Sequence, residues 1–355
     1  GHGRAQRQTV TIGGRRDGSV LAYRLDIVAD AGAYPRLGAA LPEGTISMAT
    51  GVYAIARFEG RARSVVTTTT PVVAYRGAGR PEATAAIERA IDMFAAEIGL
   101  DPADVRRRNF VPVDAFPFVA PTGSEYDSGD YAAALAAVLA AADYPALRAE
   151  QGRRRAAGGA LQLGVGISAY VDITGVGTEE ARLTVRSDGT VLAHTGTAPH
   201  GQGHHTSFAM LVADRLGVDL ERIQVVLGDT DELARGGGTF GSRSLQVGGS
   251  ALHEAANRLC ELIQPRVAAC LNVGEDDVAL DRVTGEWFVL SAPERRASWA
   301  ELSARLEPET GLVVELDYKP AGSTCPFGVH LALVEVDTET GKAPCCGLSR
   351  SMTLG

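Results

Sequence analysis

No apolar run in this 355-residue sequence approaches the ~20 residues that a bilayer-spanning helix requires. The opening stretch, GHGRAQRQTV, lacks the apolar core of a secretion signal, so the expected location is cytoplasmic. Arginine and lysine form no continuous stripe, and a formal net charge of -9 counts against a nucleic-acid partner. Cysteine is scarce. The five residues are irregularly spaced, and Cys345 and Cys346 are adjacent, which suits neither a disulfide framework nor a zinc site. What remains is a globular composition, 45% hydrophobic and 22% charged, with chain enough for two or three domains. Glycine is the exception to this ordinary balance. Many of its 42 residues fall in loops beside polar side chains, where glycines serve as plain turns or cradle phosphates and rigid cofactors.

The chain reads as mixed α+β, because strands and helices alternate without a strict βαβ rhythm. Residues 8–30 suggest two strands joined by a turn at Arg16-Asp17-Gly18. The Val- and Thr-rich segment 64–75 reads as a strand that leads into the loop AYRGAGRP. Pro81 then suits a first helical turn, Ile87, Ile91, Phe94 and Ile98 share one helical face, and Gly99 closes the helix. A short helix over 101–109 carries Arg106, Arg107 and Arg108, expected to form a solvated or partner-facing surface. An alanine-rich helix over 131–142 follows, and strand patterns resume after Gly158-Gly159, which suggests a boundary. Further on, Ser187-Asp188-Gly189 marks a hairpin turn. Helices are expected at 204–216 and 250–271, with a strand at 223–227 between them.

Three glycine-rich loops sit beside helix starts. In the first, Arg76 and Arg80 flank Gly77-Ala78-Gly79. The glycines permit close backbone approach, and Arg80 is expected to brace the loop. In the second, Gly201 and Gly203 surround Gln202, whose carboxamide both donates and accepts, as a heterocycle edge requires. The third, RGGGTFGSRS, offers backbone N–H groups, the hydroxyls of Thr239, Ser242 and Ser244, and the Arg243 guanidinium. Those are phosphate donors at the start of a helix, whose dipole favours an anion. Two such loops point to a shared ligand. His200, His204 and His205 offer a zinc alternative, but no acid or cysteine stands at a matching spacing. Arg76 pairing with Glu82 is the plain structural alternative for the first loop.

AYRGAGRPE, PHGQGHHTSFA, GDTDELARGGGTFGSRS and GVHLALVEVDTETGK occur in this order and at family-like intervals. With them the chain resembles the molybdopterin-binding large subunit of the xanthine dehydrogenase and aldehyde oxidase family, within the form II carbon monoxide dehydrogenase-like group. The resemblance runs from residue 1 to about residue 342. It implies two elongated α+β molybdopterin-binding domains: 1–118 as the end of the first, 119–158 as a connection, and 159–342 as the start of the second. The implied cofactor is molybdenum-molybdopterin cytosine dinucleotide. Gln202 and Gly203 would meet its pterin, and Thr239, Gly241, Ser242, Arg243 and Ser244 its phosphates. Arg76 would be the catalytic residue, its backbone and that of Gly77 close to molybdenum. The implied activity is hydroxylation of a small-molecule substrate, an aldehyde or N-heterocycle, with oxygen from water. Electrons would pass to an iron–sulfur small subunit and an FAD-binding medium subunit in a hetero-oligomer.

Two departures qualify the resemblance. Gly77 stands where carbon monoxide dehydrogenases carry a copper-binding cysteine, which speaks against CO as substrate. The chain also reads as a fragment, without the family's upstream cofactor loop and downstream glutamate base. After Lys342 the strand pattern breaks into APCCGLSRSMTLG. Back-translated with the frame shifted by two bases, this tail accommodates an alternating strand ending at a turn, so 343–355 is read as out of frame. The alternative function is a catalytically inactive remnant that retains partial cofactor or subunit binding.

Overall fold

The computed structural model describes residues 3–353. The outermost residues of the expected tail, Leu354 and Gly355, and of the first expected domain, Gly1 and His2, lie outside it. The described residues form two compact units, 3–173 with 324–353, and 174–323.

The first unit begins with strands β1 (Gln6–Gly14) and β2 (Val20–Gly32), paired antiparallel across the expected Arg16-Asp17-Gly18 turn. Alternation along β2 buries Tyr23, Leu25, Ile27 and Ala29 on one face. Helix α1 (Leu41–Ser47) follows, then β3 (Arg57–Val66), which runs parallel to β2. The expected strand at 64–75 is thus displaced toward the N-terminus. Its threonines are spent on a cap instead: Thr67 Oγ1 and Thr69 Oγ1 donate to the Asp30 carboxylate at 2.7 and 2.9 Å, which bends the segment away from a ladder.

Helix α2 (Arg80–Ile98) starts at Gly79, φ 101°, with Pro81 in its first turn, and ends at Gly99, φ 73°. Its apolar stripe buries Ile87, Ile91 and Phe94. Helix α3 (Pro102–Asn109) is capped by the Asp101 carboxylate, which accepts from the Ala103 N–H at 2.8 Å. A two-residue pair, β4 (Phe118–Val119) and β5 (Glu125–Tyr126), precedes α4 (Tyr131–Ala141). A further helix that the sequence reading missed, α5 (Tyr144–Ala157), leads into β6 (Leu161–Val171). No single helix among the described residues is long and apolar enough to cross a membrane.

The second unit opens with β7 (Glu179–Val185) and β8 (Val191–Thr195), joined by the expected turn, in which the Asp188 carboxylate accepts from the Thr190 N–H at 2.8 Å. Then come α6 (His204–Leu216), β9 (Ile223–Leu227), a π-helical turn at Ser244–Gly249, and α7 (Ser250–Leu271). A three-stranded antiparallel sheet follows, β10 (Val278–Asp281), β11 (Glu286–Val289) and β12 (Ala292–Ser298), and then α8 (Trp299–Leu306) and β13 (Leu312–Tyr318). The main sheet has the order β13-β7-β8-β9. Its buried face, including Leu183, Val191 and Ala193, packs in one core with Phe208 of α6 and Leu252, Leu259 and Ile263 of α7.

The chain then returns to the first unit with β14 (Phe327–Asp337) and β15 (Cys345–Thr353), in the sheet order β15-β14-β6. Both units are mixed α+β, as expected. The linear division at residue 158 is not the one the contacts draw, because β6 pairs with β14 along its whole length, from Val171 opposite Phe327 to Leu161 opposite Asp337. A buried ion pair fixes β6 further. Arg106, expected on the surface, is fully buried; its guanidinium bonds Glu88 Oε2 at 2.9 Å, Asp92 Oδ1 at 2.8 Å and the β6 carbonyl of Ile167 at 2.9 Å. The Ala169 N–H donates to the same Glu88 carboxylate at 2.9 Å, and the Tyr53 hydroxyl bonds its other oxygen. Arg107 and Arg108 remain exposed beside Asp104 and Asp17. Beyond Lys342, where the strand pattern was expected to break, the backbone continues as β15 against β14.

Candidate functional site

In the second unit the Gln202 loop leaves the end of β8, and the glycine triplet Gly236-Gly237-Gly238 comes against its start. A Cβ on Gly196 would collide with Gly236 Cα, and the Gly238 N–H donates to the Gly196 carbonyl at 3.2 Å. Only bare backbone allows that approach. The two loops thus meet at their roots, Gly196 ahead of Gln202 and Gly203, and Gly236 and Gly238 ahead of Thr239, Gly241 and Ser242.

Gly203, φ 78°, is the N-cap of α6 and supplies no side-chain cap. A helix start of this kind faces its first N–H groups outward, toward an acceptor. Gln202 is exposed; its carboxamide oxygen accepts from the His200 N–H, which leaves the amide nitrogen to a ligand. His204 stacks on Phe208 with rings 4.8 Å apart, and its buried Nε2 has no hydrogen-bond partner among the described residues. Burial, then the neighbouring His205 and His200, hold its imidazole below the ordinary value, so it is neutral near pH ~7. Among the described residues no three His, Cys, Asp or Glu side chains are placed to hold a metal, so the zinc alternative has no geometric support.

The third loop differs from expectation in two side chains. Arg243 is buried, its guanidinium bonded to Glu179 Oε2 at 2.6 Å, the Gly238 carbonyl at 2.9 Å and the Thr178 carbonyl at 2.7 Å. It is held by the protein, and a phosphate would have to displace a buried carboxylate to reach it. Ser244 is also buried, and its hydroxyl donates to Thr239 Oγ1 at 3.0 Å. Thr239 keeps its own proton for an outside acceptor. Ser242, exposed and at φ 60°, is the hydroxyl that faces outward directly. Chemically, this cluster can bind an anion through uncharged donors and a heterocycle through an amide edge.

Arg76 and Gly77 belong to the first unit. Their loop is wound tightly, the Ala78 N–H donating to the Tyr75 carbonyl at 2.8 Å and the Arg80 N–H to the Gly77 carbonyl at 3.1 Å. Gly77, at φ 97°, has no room for a side chain: a Cβ would stand 2.5 Å from Pro81 Cδ. Arg80 bonds the Ala78 carbonyl at 3.3 Å and lies 3.5 Å from Asp172. Glu82 is engaged by Arg4 at 2.9 Å and by the Gly79 N–H at 3.2 Å, so it is not the partner of Arg76. Arg4 also donates to the Arg76 carbonyl at 2.5 Å. The Arg76 guanidinium itself is exposed and makes no hydrogen bond or ion pair with the described residues.

The family model of the molybdopterin cofactor-binding domain matches residues 1–110 and, in a second form, residues 137–348. The chain is 36% identical to the carbon monoxide dehydrogenase large chain of Hydrogenophaga pseudoflava, over 92% of this chain and 43% of that one. The solved carbon monoxide dehydrogenase from Oligotropha carboxidovorans superposes with a TM-score of 0.90 at 32% identity, covering 97% of this chain and 46% of that one. Quinoline 2-oxidoreductase from Pseudomonas putida 86 gives 0.89 at 26% identity, over 98% and 47%. The chain thus spans less than half the length of each of these relatives. It belongs to the molybdopterin cofactor-binding domain family, as a homologue of the large chain of carbon monoxide dehydrogenase.

Proposed function

We propose that the chain serves as cofactor-binding large-subunit material of a molybdenum hydroxylase, acting on an aldehyde or an N-heterocycle. The observation that carries this reading is the meeting of the two glycine loops at Gly196 and Gly236, ahead of α6 and the Ser244–Gly249 turn. The residues there fit a pterin dinucleotide. Space is open beside Gly201, Gly203, Gly238 and Gly241, and the unpartnered His204 Nε2 and the Gln202 amide lie at one loop. Gln202 and Gly203 would bind the pterin edge, and Thr239, Gly241 and Ser242 the phosphates of a cytosine dinucleotide form. Arg243 and Ser244 would shape the loop from inside.

When bound, the cofactor supplies oxygen transfer and takes up the electron pair. The protein's part is binding and electrostatics. The uncommitted Arg76 guanidinium is suited to stabilise negative charge developing on a substrate oxygen, held in place by the Arg4 contact to its backbone. CO is disfavoured, because Gly77 offers no thiol and its surroundings leave none room. Iron–sulfur and FAD subunits are the proposed electron acceptors. The test is chemical: purify the chain from a host that makes the cofactor, with the candidate partner subunits, and assay molybdenum and acid-released nucleotide. Molybdenum with CMP is expected. Folded protein holding neither would overturn the reading.

A further inference from the structure

We propose that the Glu179–Arg243 ion pair is the positioning element of this cradle. It acts as a buried neutral pin that fixes both glycine loops and leaves anion binding to uncharged donors. The inference rests on the reading of those loops as the ligand site.

Glu179 and Arg243 are 1% and 3% exposed. The carboxylate takes the guanidinium on Oε2 and faces the Gly237 N–H with both oxygens, at 3.2 and 3.4 Å. The guanidinium ties the Thr178 and Gly238 carbonyls to the root of the Ser244–Gly249 turn. The start of β7, the glycine triplet and the helix entrance are therefore joined at one point. The Gln202 loop is joined through Gly196, whose Cβ position lies 2.5 Å from Glu179 Oε1.

The glycine triplet supports this account. Of its members only Gly238 has a positive φ, 70°, so backbone freedom does not explain Gly236 and Gly237. A Cβ on Gly237 would collide with the Arg243 guanidinium, and one on Gly236 would press on Gly196 Cα at 2.7 Å. These two glycines are bare because the pin and the opposing loop occupy the space. The consequence for binding is electrostatic. Arg243 is neutralised by Glu179, and nearby Arg235 is paired with Asp317 and Glu180. An anion here meets N–H and O–H dipoles, whose pull is short-ranged and little screened by salt.

The experiment compares the whole chain with Glu179→Gln and Gly237→Ala, using cytidine 5′-diphosphate as the probe. Amide exchange is followed over residues 196–203, 236–244 and 250–271. Glu179→Gln removes the charge, and Gly237→Ala keeps both charges while displacing the guanidinium, so the second carries the test if the first does not fold. Exchange in both loops should rise at least about tenfold in both variants, with 250–271 unchanged, and Gly237→Ala, in which the pair keeps its balanced charge, should bind the probe at least about tenfold more weakly. Wild-type affinity should change less than about threefold between about 0.05 and 0.5 M NaCl. Unchanged loop exchange in both variants overturns the pin, and a steep salt dependence overturns its neutrality. A wild-type chain that ignores the probe, with loop exchange responding as expected, overturns the cradle reading while the pin stands.

Discussion

Replacing Arg106 by Met should cost the first unit ~4 kcal/mol, because breaking a buried ion pair by removing one partner costs ~3–5 kcal/mol. The figure follows from what the guanidinium holds. It is fully buried and reaches Glu88, Asp92 and the carbonyls of Pro102, Glu88 and Ile167. Methionine fills much of the space but leaves the Glu88 carboxylate without its cation. The Pro102 and Ile167 carbonyls lose donors too, at ~1–3 kcal/mol for each left unsatisfied, which the added apolar packing offsets in part. Both tryptophans, Trp287 and Trp299, lie in the second unit, so their fluorescence is an internal control while circular dichroism follows the whole chain. At ~2 kcal/mol per molar urea, the affected transition should fall by ~2 M with the fluorescence transition unmoved. Burial pushes the Glu88 carboxyl up, against the pull of Arg106, Tyr53 and the Ala169 N–H. Without Arg106 that push is less opposed. A folded-state pKa raised above the unfolded one favours the protonated fold, so the variant's deficit should shrink as pH falls from ~8 to ~5. Glu88→Gln in the same chain should recover part of the loss. A deficit below ~1 kcal/mol, or one that grows toward acid, would refute the reasoning.

Other substitutions read the candidate site directly. Ser242→Ala and Ser242→Gly should each weaken dinucleotide retention by ~1.5–3 kcal/mol, measured as CMP released on denaturation, because each removes a hydroxyl hydrogen bond to a charged group. Of the two, the glycine variant should be the more stable by ~1 kcal/mol, since Ser242 sits at φ 60°. Ser244→Ala, which acts only through Thr239, should cost less retention, and equal losses at the two serines would contradict the assigned geometry. Gly77→Cys should lower thermal stability by ~1–3 kcal/mol, from the positive φ and the Pro81 ring, and should bind no copper in a dialysis assay. In His204 the folded-state pKa is depressed, so its contribution is present above the ordinary ~6.5 and lost as pH falls through the lower folded value. Tryptophan-monitored stability should therefore drop on acidification below pH ~6.5, and less so in His204→Gln.

What the sequence disclosed were local features. Pro81 and Gly99 bracket α2, and its apolar residues recur at helical spacing, so the helix was legible within a window of twenty residues or so. The glycine loops were legible for the same reason. Arg106 was not, because a triplet of arginines looks solvated until Glu88 and the Ile167 carbonyl arrive from distant segments. Arg243 was read in the same way: its neighbours in sequence carry the donor groups a phosphate needs, but in the fold its guanidinium is taken by Glu179. The threonines at 67–69 carried strand propensity, yet local bonding to Asp30 outweighed it. The division into units was hidden most completely, since it depends on two strands, β6 and β14, that no local pattern links.

That pairing has a consequence for synthesis. A ribosome delivers β6 long before its partner β14, with all of residues 174–323 between them. In that interval the β6 edge that faces β14 presents open backbone donors and acceptors, while the strand is held by Arg106 and Glu88 at Ile167 and Ala169 and by Gln151 at Leu163. The second unit must emerge, and is free to collapse on its own core, before the first can close its last sheet. The closing step is a high-contact-order event, slow by nature and exposed to competing strand pairing. The Arg106–Glu88 contacts to Ile167 and Ala169 need nothing beyond residue 169, so they can dock β6 before β14 has been made.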